Sequence, residues 1–137
     1  AGYVGHHYGT PRDYVTGHLD AGRDMILEIE IQGALKVKEQ YPEAVLVFVV
    51  PPDAATLKAR LLGRGTETPQ VIEERMRRAV EESEGVERYD YLLVNDDLEA
   101  CVEELHQIML CEHRKTAVNQ ELINGIRTDL KRFVEGE

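Results

Sequence analysis

Ala44-Val45-Leu46-Val47-Phe48-Val49-Val50 is a nearly continuous apolar run, bounded by Tyr41-Pro42-Glu43 on one side and Pro51-Pro52-Asp53 on the other. It is too short for a stable helix of its own and rich in β-branched residues. Such a run marks a strand buried on both faces, as in a parallel sheet. Parallel strands need long crossovers, so helices should flank it. They do. Gly33 to about Tyr41 reads as a helix ending before Pro42, and Asp53 can cap one that carries Leu57, Leu61 and Leu62.

The alternation continues outward. Ala1 to Gly9 lacks a helical period and reads as strand and loop. Thr10-Pro11-Arg12-Asp13 is a helix start, with Thr10 as cap and Pro11 in the first turn; that helix runs to about Ala21 and stops at Gly22. Met25, Leu27, Ile29 and Ile31 alternate with Glu28 and Glu30, which predicts a strand over Met25–Ile31. Thr68 caps a helix bearing Ile72, Met76, Ala79 and Val80 on one face. Tyr91 to Val94 is a further short strand. Asn95-Asp96-Asp97 turns into a helix from Leu98 to about Lys115, and a last helix aligns Leu122, Ile126, Leu130 and Phe133. The fold class is α/β with a parallel sheet.

Composition narrows the function. The chain has 137 residues, 42% of them hydrophobic, enough for one domain with a real core. No apolar run approaches membrane-spanning length, and no signal peptide is visible. A formal net charge of -10 argues against nucleic-acid or membrane-surface partners, which need a broad positive field. Cys101 and Cys111 lie ten residues apart on one predicted helix, about 15 Å, too far for a disulfide. Reduced thiols and a cytoplasmic location are expected.

Against this acidic background, Arg60-Leu61-Leu62-Gly63-Arg64-Gly65-Thr66 gathers cations around two glycines, with Arg75 on the next helix. Guanidinium groups stay charged and offer planar donor forks that match phosphate oxygens. The segment suits an arginine-bearing lid over phosphates; a solvated basic turn is the plainer alternative. Glu28 and Glu30, two apart on a predicted strand, share one face, and such a pair can hold a base edge or order water around Mg²⁺. The polar face of a half-exposed strand explains them equally simply, although Gln32-Gly33-Ala34 directly after permits close approach of a ligand. Tyr8-Gly9-Thr10 sets a phenol and a hydroxyl about a helix start that favours anions. Asn95 can offer its amide to a base, while Asp97 caps a helix. Histidine metal sites fail on spacing: His106 and His113 are seven apart on a helix, about 10 Å along its axis.

Taken in order, these segments resemble guanylate kinase. The matching stretches are Gly5-His6-His7-Tyr8-Gly9-Thr10, Ile26 through Ala34, Val49-Val50-Pro51-Pro52, Arg60 through Thr68 with Arg75, and Tyr89 through Asp97. Each is weakly specific alone; five in order are strong. The resemblance implies a nucleoside monophosphate kinase-like P-loop core with a helical lid. It implies Mg²⁺-dependent transfer of the γ-phosphoryl group of ATP to GMP, a reaction of purine nucleotide metabolism. Tyr8 would help hold the GMP phosphate and Thr10 read the guanine edge, with Glu28 and Glu30 beside GMP and the metal-bound phosphates. Arg60, Arg64 and Arg75 would close over the phosphates, Arg64 contacting ATP as well, and Asn95 would lie near the adenine.

The departures are specific. Glutamates stand at 28 and 30 where the family usually shows aspartates, or one of each, and His6-His7 replaces a more usual Asn-Tyr pair. No Gly-x-x-x-x-Gly-Lys-Ser/Thr sequence occurs. In the family that loop lies ahead of the segment matching Tyr3. The chain is therefore expected to hold the tail of the GMP-binding domain (1–10), core (11–60), lid (61–84), and core with C-terminal helices (85–137), inactive without the phosphate cradle. The alternative is a non-catalytic, guanylate-kinase-like protein-interaction module.

Overall fold

A computed structural model describes residues 2–3, 6–7 and 12–136. The chain divides into two compact units, Ala1–Leu92 and Leu93–Glu137.

The first unit opens with a short antiparallel pair, β1 (Gly2–Tyr3) and β2 (His6–His7), in which Gly2 faces His7 and Tyr3 faces His6. Helix α1 follows over Arg12–Asp20. The cap expected from Thr10 and Pro11 lies outside the described residues. Its C-terminal stop is as read: Gly22 takes a left-handed φ of 78°, Arg23 N–H donates to His18 O and Gly22 N–H to Leu19 O. This is the pairing by which a left-handed glycine closes a helix.

Residues 23–30 form no strand, contrary to the alternation of Met25 to Ile31. Alternation supplies a face, but a strand also needs a neighbour to ladder with, and none lies alongside among the described residues. The segment ends in helix α2 (Ile31–Gln40), which starts two residues before the expected Gly33 because Glu30 caps it. The Thr16 hydroxyl and the Tyr41 phenol, 3.2 Å apart, tie α1 to the end of α2. That bond, with Arg12 behind it, holds the Tyr41 phenol below its ordinary pKa.

Strand β3 (Val47–Val50) occupies the apolar run and neighbours β4 (Tyr91–Val94) in a small sheet of parallel type, with two helices in the crossover. Asp90 sets where they meet. Its carboxylate accepts from Leu46 N–H at 2.8 Å, and the N–H groups of Asp90 and Tyr91 donate to Leu46 O. Lys38 adds bonds to Ala44 O and Asp90. Burial on both faces is not reached: Leu46 is buried, but Val49 is 53% exposed. Two paired strands cannot cover every side chain of a run that hydrophobic.

The crossover is α3 (Ala54–Gly63), α4 (Pro69–Ser83) and a 3-10 turn at Val86–Arg88. Both caps are those the sequence announces. Asp53 accepts from Thr56 N–H at 2.6 Å, which lowers its pKa, and Thr68 accepts from Val71 N–H with Pro69 in the first turn. Ala34, Leu46, Leu61 and Ile72 are the buried residues of this unit's core. Phe48 meets Tyr89 edge-on, with centroids 4.9 Å apart.

The second unit holds the end of β4, then α5 (Leu98–Glu112), capped by Asp97, whose carboxylate accepts from Ala100 N–H at 2.9 Å. Leu93 and Cys101 are buried, and both cysteines are free thiols. A 3-10 turn at Thr116–Val118 leads into α6 (Gln120–Glu135). Its expected stripe is exposed, from Ile126 at 50% to Phe133 at 86%. Among the described residues no helix is long and apolar enough to cross a membrane.

Candidate functional site

The sequence-predicted groups arrive by different routes. Tyr8 and Thr10 lie outside the described residues. Glu28 is exposed on the irregular segment, while Glu30 is half-buried, so the two carboxylates do not share a strand face. Glu30 is the N-cap of α2: Oε2 accepts from Gln32 N–H and Oε1 from Gly33 N–H, each at 2.7 Å. Both oxygens are occupied at a helix start, where a negative charge is favoured.

Arg60 is exposed in the last turn of α3. Arg64, also exposed, follows as the C-cap, and Gly65 then adopts a φ of 65° that permits the tight turn. Arg75 is on α4 and more enclosed. Its Nη2 lies 2.8 Å from Glu67 Oε1, and Glu67 retains only 16% of its side-chain exposure. Of the three arginines, Arg60 and Arg64 are exposed along one turn, and Arg75 is braced by Glu67 from the segment after it. Asn95, half-buried after β4, belongs to the second unit.

A cluster the sequence reading missed sits between α4 and the start of α2. Arg78 Nε is 3.2 Å from Glu82 Oε1, Nη1 is 3.3 Å from Glu81 Oε2, and Nη2 is 3.9 Å from Glu30 Oε2. Burial raises the Glu82 carboxyl above its ordinary range, with Arg78 pulling the other way and the charges of Glu30 and Glu81 adding to the rise. The Tyr89 phenol is likewise raised, by burial first and then by Glu82 and Glu30. Gly85 lets the elements come this close: a Cβ there would stand 2.3 Å from Ile31 Cδ1. Two signals pointed here, the i, i+4 spacing of Arg78 and Glu82 and the position of Arg78 three residues beyond Arg75 on one helix. The link to Glu30 had none.

Chemically, the arrangement places arginine donors on a glycine-turned segment and on the helix after it. An acidic cap at the start of α2 is joined to that same helix through Arg78. It can gather and shield anionic oxygens; a nucleophile or general base is not needed for that.

The family model described as guanylate kinase matches residues 1–112. The guanylate kinase of Halalkalibacterium halodurans is 51% identical over 115 residues, 84% of this chain and 56% of that protein. That of Enterococcus faecalis is 50% identical over 113 residues, 82% of this chain and 55% of the relative. Among solved structures, the crystal structure of guanylate kinase from Anaplasma phagocytophilum superposes with a TM-score of 0.60 at 31% identity, covering 77% of this chain and 50% of that one. The chain spans about half the length of the curated relatives it matches. Helix α6 lies beyond the matched segment. Alternating strand and helix, an arginine-bearing turn and the matched segment agree: the chain belongs to the guanylate kinase family.

Proposed function

We propose that this chain is the phosphate-closing part of an ATP:GMP phosphotransferase, acting in the cytoplasm on soluble nucleotides. The observation that carries the reading is the array on α3 and α4: Arg60 and Arg64 exposed about a glycine turn, and Arg75 held by Glu67 on the following helix. Phosphoryl transfer is catalysed mainly by positioning and by stabilising charge on the transferred group, and arginines on a closing segment supply both while excluding water. A protein-interaction module has no use for such an array.

In this reading Arg60, Arg64 and Arg75 converge on the phosphates when residues 61–84 close. Tyr8 and Thr10 face GMP, and Glu28 stands beside it. Asn95 serves the adenine end. Mg²⁺ comes with ATP as part of the substrate. The exposed Glu28 carboxylate is the group available to order its water, because both Glu30 oxygens are taken by Gln32 and Gly33. Residues 1–10, 11–60 and 85–137 then form the end of the GMP-binding domain, the core, and the core with its C-terminal helices.

The test is GMP-dependent ADP release by the intact protein, with AMP, CMP and UMP as rival acceptors. A site that hydrogen-bonds a base edge rejects bases that leave those groups unpaired. GMP should be strongly preferred; equal turnover of AMP and GMP overturns the reading.

A further inference from the structure

Glu67 stands between the glycine turn and the Thr68 cap, adjacent to α4 but outside it. A guanidinium has two usable edges. The side edge carries Nε–H and one Nη2–H; the end edge carries the outer hydrogens of Nη1 and Nη2. Against Glu67 the Nη2–Oε1 arm of a side-edge fork is made, at 2.8 Å. The two atoms of the other arm, Arg75 Nε and Glu67 Oε2, are both buried and both lack a hydrogen-bond partner. Buried polar atoms are costly to leave unpaired, and these two are each other's natural partners. A small rotation of either side chain completes the fork, giving a bidentate pair of the kind arginine favours. The end edge then stays available.

We propose that Glu67 is a positioning residue: it grips Arg75 by its side edge, so that the end edge is presented to substrate phosphate oxygens. This rests on the reading of Arg75 as a phosphate-binding arginine. A guanidinium held at one edge cannot turn away when the other is offered a ligand, so its orientation is fixed before the phosphates arrive. The carboxylate has to stay close to the guanidinium, and its low exposure leaves it little room to move away.

The experiment compares Glu67→Gln, Arg75→Lys and the double variant in the intact protein, with GMP and Mg·ATP. Glutamine keeps the size but sets an amide N–H₂ against either Nη2–H or Nε–H, so the fork cannot close. Glu67→Gln should lower kcat by about 10-fold or more, since misplacing a catalytic group costs up to about 10²-fold. KM for GMP should stay within about threefold. On the Arg75→Lys background the same change should cost less than about twofold, because the fork is already gone. Full additivity, or a Glu67→Gln variant within about twofold of wild type in kcat, overturns the proposal. A second readout is independent of turnover. The Arg75 Nε–H resonance in ¹H–¹⁵N spectra of this chain should exchange slowly in the wild type and shift, with faster exchange, in Glu67→Gln. An unchanged resonance overturns the fork whatever the kinetics show. If the wild type makes no ADP with GMP, the phosphotransferase reading fails, and the resonance alone judges the pairing of Glu67 with Arg75.

Discussion

Replacing Arg78 by Met removes a positive charge from a half-buried acidic cluster while keeping an apolar stem of similar length. Arg78 and Glu82 each retain 21% of their side-chain exposure and Glu30 10%, whereas Glu81 is 69% exposed. The Glu81 contact is therefore worth almost nothing. The Glu82 contact at 3.2 Å and the Glu30 contact at 3.9 Å carry the effect. Two unit charges about 4 Å apart attract by about 4 kcal/mol at an effective dielectric near 20, before side-chain ordering and desolvation are subtracted. Exposed pairs net at most about 1 kcal/mol, and breaking a fully buried pair costs about 3–5 kcal/mol. A cluster enclosed to this degree falls between, and a loss of about 2 kcal/mol is expected, or about 8 °C in Tm for a chain of this size. The pH dependence is the sharper test. The Glu82 pKa already lies above its unfolded value, so folded protein binds more protons than unfolded protein through that window. Without Arg78 the carboxyl rises further. Stability of the variant is then fullest below the ordinary glutamate range and falls as pH climbs through the raised folded pKa. Urea unfolding at pH 5 and pH 7 should show the larger deficit at pH 7. A deficit under about 0.5 kcal/mol, or one that shrinks on going to pH 7, would refute the reasoning.

Two further outcomes follow from the lid segment. Arg64→Ala in the intact protein should lower kcat by roughly 10³, by analogy with arginine fingers, while GMP binding by calorimetry changes little; a kcat within about threefold of wild type would return Arg64 to a solvated turn. Thr68→Ala removes the hydroxyl that accepts from Val71 N–H and should cost about 1 kcal/mol in urea unfolding, and Thr68→Ser should restore most of it; equal losses in both variants would mean that the cap bond contributes nothing.

Local chemistry was the legible part of this fold. Asp53, Thr68 and Asp97 each cap the helix their position announces, and Gly22 ends α1 in the left-handed conformation that glycine tolerates. These signals act over three or four residues, so the sequence carries them whole. The strand expected at Met25–Ile31 failed for the opposite reason: its pattern was correct, but laddering depends on a partner elsewhere in space. The site divides along the same line. Arg60, Arg64 and Arg75 stand out because they gather about two glycines in a chain of net charge -10. Arg78 does not, because its partner Glu30 is remote in sequence and meets it only in the folded chain.

Glu30 shows how a longer acid can cap a helix. Aspartate is the shorter and preferred helix cap. Glutamate has one more methylene to accommodate, and it folds back so that both oxygens accept from Gln32 and Gly33 N–H. That posture needs space over the third residue of α2. A Cβ on residue 33 would stand 3.0 Å from Glu30 Oε1, tighter than ordinary contact, so Gly33 leaves the room the longer acid requires. The same reach carries Oε2 to within 3.9 Å of Arg78, binding the start of α2 to the helix that follows the arginine turn. In the proposed reading, closure of that turn over phosphates is then linked to the start of α2. A shift of α4 at Arg78 acts on the carboxylate that caps α2.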